Sequence, residues 1–563
     1  METILRVNLK NKQITYEKAP DDYLKTGGRG LIAKIMLKEV NPLCEPLGIE
    51  NKLIVANGFF TGTTVSSANR ISIGAKSPLT GGIKESNGGG ITAMRLAQLG
   101  IKALIIEEAP RDNSWYYIKI TKDGSSLEPA DKYVGMGTFE FCESMLREYP
   151  DSAVTCIGPA GERLYHVAGI ATMDKEKKPN RYSGRGGLGA VMGSKHIKGI
   201  VVVDKDSVKI SDKEKFSKAL KEYTTILNES PSTLSYRKLG TAATVRVTND
   251  LTGLPTRNFK GEKFEHADNI SGEYLYDFIK ERGGEGTTTH ACMPGCIIQC
   301  SNVVPDKQGN TIVSPLEYET IGLLGSNLGI GDLETIARLN AFCNDFGIDT
   351  IETGAAIGVV MEANLANFGD EDAAFKFMDE IKNDTELGKL LASGATNTGK
   401  VLGVEHVPAV NGQAMPAYDP RAIKGMGVTF ATSPMGADHT YGPVVKTNKS
   451  WVEGSKDAQK LMAILDCLGV CMFARNAILE DLHLFVELVN AIHGFNLDLN
   501  WLNGMAEEAI RNEYKFNKLA GFTKDHYKMP ESFVVTKVES LDTSFDVNKE
   551  EIEAIVEYYG KGN

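Results

Sequence analysis

Cys292-Met293-Pro294-Gly295-Cys296-Ile297-Ile298-Gln299-Cys300 sets three thiols within nine residues, and this stretch decides how the chain is read. The Pro-Gly break makes a tight loop in which three soft ligands converge on one centre, as iron–sulfur clusters require. Zinc instead favours Cys pairs with short spacers and a second pair nearby. A radical S-adenosylmethionine loop has the pattern C-x3-C-x2-C, whereas the second gap here is three residues. Buried thiols can also act as small hydrophobes, but such clustering without a metal is rare. A 4Fe–4S cluster needs a fourth ligand, and Cys471 is the best placed of the remaining cysteines.

Cys471 closes the hexapeptide Asp466-Cys467-Leu468-Gly469-Val470-Cys471. It follows a helical pattern from Lys456 to Leu468, with Ala458, Leu461, Met462 and Leu465 on one side. Gly469 suits a left-handed C-cap. Asn344-Asp345-Phe346-Gly347-Ile348-Asp349 repeats the arrangement after a second helix, which starts near Asp332, a good N-cap, and carries Ile336, Leu339, Phe342 and Cys343 on one face. Each hexapeptide places a side-chain acceptor and a ligand where the chain reverses, so the two can hold two similar groups. Glu480–His493 reads as a third helix.

Before residue 206 the pattern changes. Ile4–Leu9 and Gln13–Glu17 flank Lys10-Asn11-Lys12 as an opening hairpin. Short β-branched runs follow at Leu53–Ala56, Ile71–Gly74, Ala103–Glu107, Trp115–Ile120 and Gly199–Val203. Asp204-Lys205-Asp206 marks one boundary, and Pro408, Pro416 and Pro420 punctuate an irregular stretch that marks another. The expected fold is α+β: a β-rich N-terminal cofactor-binding domain (1–205), then two mainly helical domains (206–405 and 406–563), with the cofactor at their interface.

Gly accounts for 58 of the 563 residues and clusters near Gly27–Gly30, Gly81–Gly90 and Gly184–Gly193, which places backbone close to a ligand. A formal charge of −11 argues against a nucleic-acid partner, which would need a basic face. No apolar window is long enough for a membrane span, and no signal peptide is visible, so a cytoplasmic location is expected. Nine Cys in this setting point to metal or redox chemistry rather than disulfides. Gly184-x-Gly186-x-x-Gly189 formally fits a dinucleotide fingerprint but lacks a convincing preceding strand and a later acidic residue. Gly187–Lys195 ends in Gly-Ser-Lys rather than the Gly-Lys-Ser of a P-loop.

Together these residues resemble the tungsten-containing aldehyde:ferredoxin oxidoreductase family, whose two pterins are held by paired D-x-x-G-L-[CD] motifs beside one 4Fe–4S cluster. Asp466–Cys471 matches one motif with Val470 at the Leu position, and Asn344–Asp349 matches the other less closely. Thr61–Arg70 looks like the family segment whose Arg lies between pterin and cluster. Ser86-Asn87-Gly88-Gly89-Gly90 and Ser183–Lys195 look like its glycine-rich cofactor loops, and Gly425–Ser433 with Asp438-His439 also fits. Two departures stand out. The cluster loop carries one extra residue between Cys292 and Cys296, and Asn344 replaces an Asp. The family's Glu/His pair for a dimer-interface metal has no secure match.

The resemblance implies a bis-pterin tungsten centre, or molybdenum on the same ligand set. Arg70, Asn87, Gly88, Gly89, Ser183, Gly184, Arg185, Gly186, Gly187, Asn344, Gly347, Ile348, Asp349, Asp466, Gly469 and Val470 would hold it. It implies a magnesium ion on the backbone carbonyls of Asn87 and Ser183, and cluster ligation by Cys292, Cys296, Cys300 and Cys471. Pro315-Leu316-Glu317-Tyr318-Glu319-Thr320 resembles a P-E-Y-E-T segment with an inserted Leu. Its second Glu, 25 residues before Asn344, is taken as the active-site one. Glu319 would then act as general base and His439 would orient an aldehyde carbonyl, with electrons leaving through the cluster to ferredoxin or a small polyferredoxin-like subunit. A homodimer stays open. So do two other readings: the same cofactor in another low-potential reduction (an acid or acyl thioester) within a larger complex, or an electron-transfer subunit without tungsten. Cys343 and Cys467 read as core, and Cys44, Cys142 and Cys156 lack ligand spacing.

Overall fold

The computed structural model describes residues 2–561. Its first third builds two six-stranded sheets from β1 (Thr3–Asn8), β2 (Gln13–Lys18), β3 (Lys52–Asn57), β4 (Ile71–Lys76), β5 (Ile83–Gly88), β6 (Ile101–Glu107), β7 (Tyr116–Thr121), β8 (Gly124–Pro129), β9 (Ala153–Cys156), β10 (Ile170–Thr172), β11 (Arg181–Ser183) and β12 (Ile197–Val202). The orders are β2-β1-β6-β3-β4-β5 and β11-β10-β9-β12-β7-β8. The first hairpin pairs Thr3 with Lys18 through Asn8 with Gln13, as the flanking runs predict.

Alternation along the strands explains why these runs are apolar throughout. Leu5, Val55 and Leu104 face the second sheet and join Ile118, Ile120, Ile200 and Val202 in one core. Their neighbours Ile4, Ile54 and Ile105 face the other way, against Ile32, Ile35 and Met36 of the helix Gly28–Glu39. A strand covered on both faces needs apolar residues at successive positions.

From Lys213 onward helices dominate. Asp332 caps Leu333–Phe346 by accepting the Thr335 N–H at 2.7 Å, and Ile336, Leu339 and Cys343 are buried. The helix expected from Lys456 begins earlier, at Trp451, because Ser450 caps it: its hydroxyl accepts the Glu453 N–H at 3.2 Å. The third begins at Leu482 rather than Glu480. Gly347 and Gly469 both take left-handed C-cap geometry, with φ of 82° and 80°. The stretch after Pro420, expected to be irregular, contains a helix, Lys424–Thr432, that is buried except at Lys424.

A three-stranded sheet (Thr287–His290, Ser301–Pro305, Thr311–Val313) frames the cysteine loop, which leaves the first strand and rejoins at the second. The glycine loop after Ser183 does have a strand before it, contrary to the sequence expectation: β11 precedes Gly184 and the helix Leu188–Ser194 follows. That strand is an edge strand, antiparallel to β10, so the parallel βαβ unit of a dinucleotide site is absent there. No helix among the described residues is long and apolar enough to cross a membrane.

Candidate active site

The sheets and the helical part meet at a cavity of about 390 Å³. Arg70 and Asn87–Gly89 line one wall, Gly184 and Arg185 another, and Asn344, Ile348, Asp349 and Cys471 bring in the two helix ends. Segments almost 400 residues apart in sequence are therefore joined by direct bonds. Asn87 Nδ2 donates to Asp466 Oδ1 at 3.0 Å, and the Arg70 N–H donates to the Gly469 carbonyl at 3.2 Å.

The second hexapeptide is held by buried charges. Asp466 Oδ2 accepts from Arg29 Nη1 at 3.3 Å, while Arg29 is gripped by Glu513 at 2.7 and 2.9 Å and lies over the Tyr441 ring. Burial pushes the Asp466 carboxyl up to about 6 despite Arg29. The first hexapeptide works differently. Asp349 caps the helix Thr350–Glu362 through the Ile351 N–H at 3.0 Å and accepts from Arg185 Nε at 3.3 Å. Arg185 is fixed by the Ala437 and Ala414 carbonyls at 2.7 and 2.6 Å. The Asn344 carbonyl accepts from Thr138 and Tyr182, at 3.0 and 2.6 Å, leaving the Asn344 side chain on the cavity wall.

Cys292, Cys300 and Cys471 line the cavity, and Cys296 sits behind them at hydrogen-bond distance from Ser67 Oγ, 3.3 Å. The contact with Cys292 draws the Cys296 thiol down to about 6 and pushes Cys292 up. Burial raises Cys300 and Cys471, while Arg70, whose Nη1 approaches Cys471 Sγ at 3.9 Å, opposes the rise. The loop is pinned to the Thr61–Arg70 segment where Ser66 Oγ accepts the Ile297 N–H at 2.9 Å. A Cβ at Gly89 would lie 2.9 Å from Cys292 Sγ, so only glycine fits beside that thiol. This donor set of four thiols, Cys296 and Cys471 buried and Cys292 and Cys300 half-buried, suits an iron–sulfur cluster, whose iron takes the place of the thiol protons.

Glu319 and His439 meet in the cavity lining, Oε1 to Nε2 at 3.6 Å. Glu319 Oε2 accepts the Ala417 N–H at 2.7 Å, but Oε1 has no hydrogen-bond partner, nor has His439 Nδ1. Burial raises the Glu319 carboxyl above the usual range, and His439 and Arg185 pull it back. Beside His439, Asp438 forms a buried ion pair with Lys84 of β5. Glu317, two residues away, occupies a different place: it accepts from Thr241 and lies near Cys300.

The structure thus brings most of the sequence-expected residues to one cavity, while Ser183, Gly186, Gly187, Cys296, Gly347, Asp466, Gly469 and Val470 do not line it and lie in the adjoining segments. Cys343 and Cys467 are core residues, as expected. Arg29, Glu513, Lys84, Glu317 and Arg181 were not anticipated. Lys84 carried no usable signal either, since its strand, Ile83–Gly88, is mostly polar in sequence. Cys142 and Cys156, far apart in pattern, bring their sulfurs to 3.8 Å in the core of the two sheets.

Family models of the aldehyde ferredoxin oxidoreductase N-terminal domain and of its domains 2 and 3 match residues 4–227 and 218–561. The chain belongs to this family. It is a family of tungsten-dependent oxidoreductases, and the tungsten-containing aldehyde ferredoxin oxidoreductase of Thermococcus kodakarensis is 31% identical over 551 residues, covering 92% of this chain and 88% of that protein. A second relative, the WOR-like subunit of an aliphatic sulfonate oxidoreductase from Pyrococcus furiosus, is 28% identical over 548 residues, 89% of this chain and 83% of that protein. Among solved structures, the active site complex BamBC of benzoyl coenzyme A reductase aligns with a TM-score of 0.82 at 18% identity, over 100% of this chain and 94% of that chain. This last likeness is one of fold. The family implies a tungsten–pterin cofactor, and the backbone of Gly88, Gly89 and Gly184 with the guanidinium groups of Arg70 and Arg185 gives the cavity wall N–H donors for such an anionic group.

Proposed function

We propose that this chain oxidises an aldehyde and water to a carboxylic acid, releasing two protons and two electrons to ferredoxin or a small polyferredoxin-like subunit. The observation that carries this reading is the half-buried Glu319–His439 pair in the cavity lining, with Oε1 and Nδ1 both free of hydrogen-bond partners. Asp466, Asn344 and Asp349 would hold the two pterins with the backbone of Gly88, Gly89, Gly184, Gly186 and Gly187. Cys292, Cys296, Cys300 and Cys471 would hold a 4Fe–4S cluster. A magnesium ion would use the carbonyls of Asn87 and Ser183; the Asn87 carbonyl already accepts from Arg70 Nη2 at 3.0 Å, which leaves it one lone pair.

The bound metallopterin supplies the two-electron redox capacity. The protein's own work is positioning and proton transfer. His439 donates to the aldehyde oxygen and polarises the carbonyl. Glu319 Oε1 accepts the proton of the attacking water, and its raised pKa brings a carboxylate closer to neutral working pH, where a general base is most effective. Tyr418, whose ring centroid lies 6.5 Å from that of His439, adds an aromatic face to the same lining.

The test is anaerobic purification, metal analysis and an aldehyde panel with a viologen acceptor. Tungsten with about four iron atoms per chain, together with aldehyde-dependent dye reduction, is the expected result. A fully loaded protein that oxidises no aldehyde, yet turns over an acid or thioester with a low-potential donor, overturns it.

A further inference from the structure

Arg181 opens β11, and its side chain is only 7% exposed. Nη1 donates to Ser301 Oγ at 2.7 Å, which fixes the guanidinium next to Cys300 in the chain. Nε and Nη2 have no hydrogen-bond partner. The carboxylate nearest to pairing, Asp174 Oδ2, stands 3.8 Å from Nη2, beyond hydrogen-bond reach. Asp174 is also already served. Its Oδ1 accepts the Glu176 and Lys178 N–H groups at 2.9 and 3.1 Å, and its Oδ2 faces Asn180 Nδ2 and His290 Nε2 at 3.2 and 3.3 Å. A buried guanidinium with two idle donors is costly unless something in the cavity accepts from them.

The surroundings say what accepts. Arg181 lines the same cavity as Cys292, Cys300 and Ser301. Arg70 reaches the remaining cysteine of the lining, its Nη1 standing 3.9 Å from Cys471 Sγ. Glu317 faces both arginines but bonds only to Thr241. The cysteine set is therefore flanked by two cations, one of which keeps its donors free.

We propose that Arg181 donates its Nε–H and Nη2–H to sulfur of the iron–sulfur cluster, thiolate or sulfide, and raises the cluster's reduction potential. The inference rests on the cluster assignment made above. One added electron makes the cluster more negative, so a fixed cation and two N–H donors stabilise the reduced form more than the oxidised one. Arg181 is thus a residue that tunes the electron exit rather than one that touches the aldehyde.

The experiment is an anaerobic redox titration of the whole protein followed by electron paramagnetic resonance, with iron, tungsten and pterin contents measured on the same samples. Wild type, Arg181→Gln, Arg181→Lys and Ser301→Ala are compared. Arg181→Gln is expected to keep its iron and shift the cluster midpoint to lower potential, with Arg181→Lys between it and wild type. Ser301→Ala, which frees the guanidinium from its anchor, shifts in the same direction by less. An unchanged midpoint in Arg181→Gln overturns the proposal, and if tungsten and pterin fall at the same time the donors belong to a cofactor phosphate. If Arg181→Gln assembles no cluster, the Ser301→Ala midpoint decides, and no shift there overturns the proposal. A wild-type protein without iron defeats the cluster assignment instead, a failure distinct from this one.

Discussion

Gly184 offers a test in which protein and cofactor give opposite signs. A Cβ added there meets nothing closer than Tyr182 Cβ at 3.8 Å, an ordinary contact, and the residue is not among the glycines with positive φ. Nothing in the polypeptide itself requires glycine at this position, yet it lines the cavity. Gly184→Ala removes unfolded-state freedom and should stabilise the cofactor-free protein by about 0.4–1 kcal/mol. If a pterin fills the space in front of Gly184, the new methyl group overlaps it at a cost of about 1–3 kcal/mol. That weakens loading by roughly 5- to 150-fold. Urea denaturation of protein made without tungsten reads the first effect. Tungsten content and the fluorescence of oxidised pterin, after growth at limiting tungstate, read the second. A variant that loads like wild type would refute the reasoning, because it would show that the space in front of Gly184 stays open in the working enzyme.

Three further outcomes are expected. Glu319→Gln should lose about 10²- to 10⁴-fold in turnover while keeping tungsten and iron, and loss of metal instead would make Glu319 a structural residue. Cys296→Ala should lose the visible absorbance of the cluster and activity together, whereas retention of both would remove Cys296 from the ligand set. Glu352, pushed up to about 7 by burial from a usual 4.5, accepts the Ala395 and Ala414 N–H groups at 3.0 and 2.8 Å. Its folded form binds a proton where the unfolded chain has already lost it, so its contribution to stability is present below about pH 4.5 and lost as pH rises to about 7. Glu352→Gln should flatten the stability profile in that window, and an unchanged slope from denaturation at several pH values would contradict the assignment.

What the sequence disclosed and what it hid follow from the range over which each feature acts. Gly347 and Gly469 are legible because a helix end needs a left-handed residue, a requirement settled within one turn of chain. The cysteine loop is legible for the same reason, since its three thiols share nine residues. Charge compensation is not local. Asp466 depends on Arg29 and Arg29 on Glu513; Asp438 depends on Lys84, more than 350 residues away. No spacing rule reaches across such separations. The two glutamates of Glu317-Tyr318-Glu319 make the point within one tripeptide. Residues two apart at the start of the helix Tyr318–Leu324 diverge in direction, so one carboxylate meets His439 and the other lies near Cys300. The 25-residue interval to Asn344 singles out Glu319 in the sequence, but only the fold shows that Glu317 lies near Cys300. The substitution of Asn344 for an acid is explained on the same terms. Arg29 and Arg70 confront the second hexapeptide and call for the Asp466 carboxylate. At the first hexapeptide the Arg185 cation is already answered by Asp349 and Glu352, so a neutral amide at 344 leaves no charge unpaired.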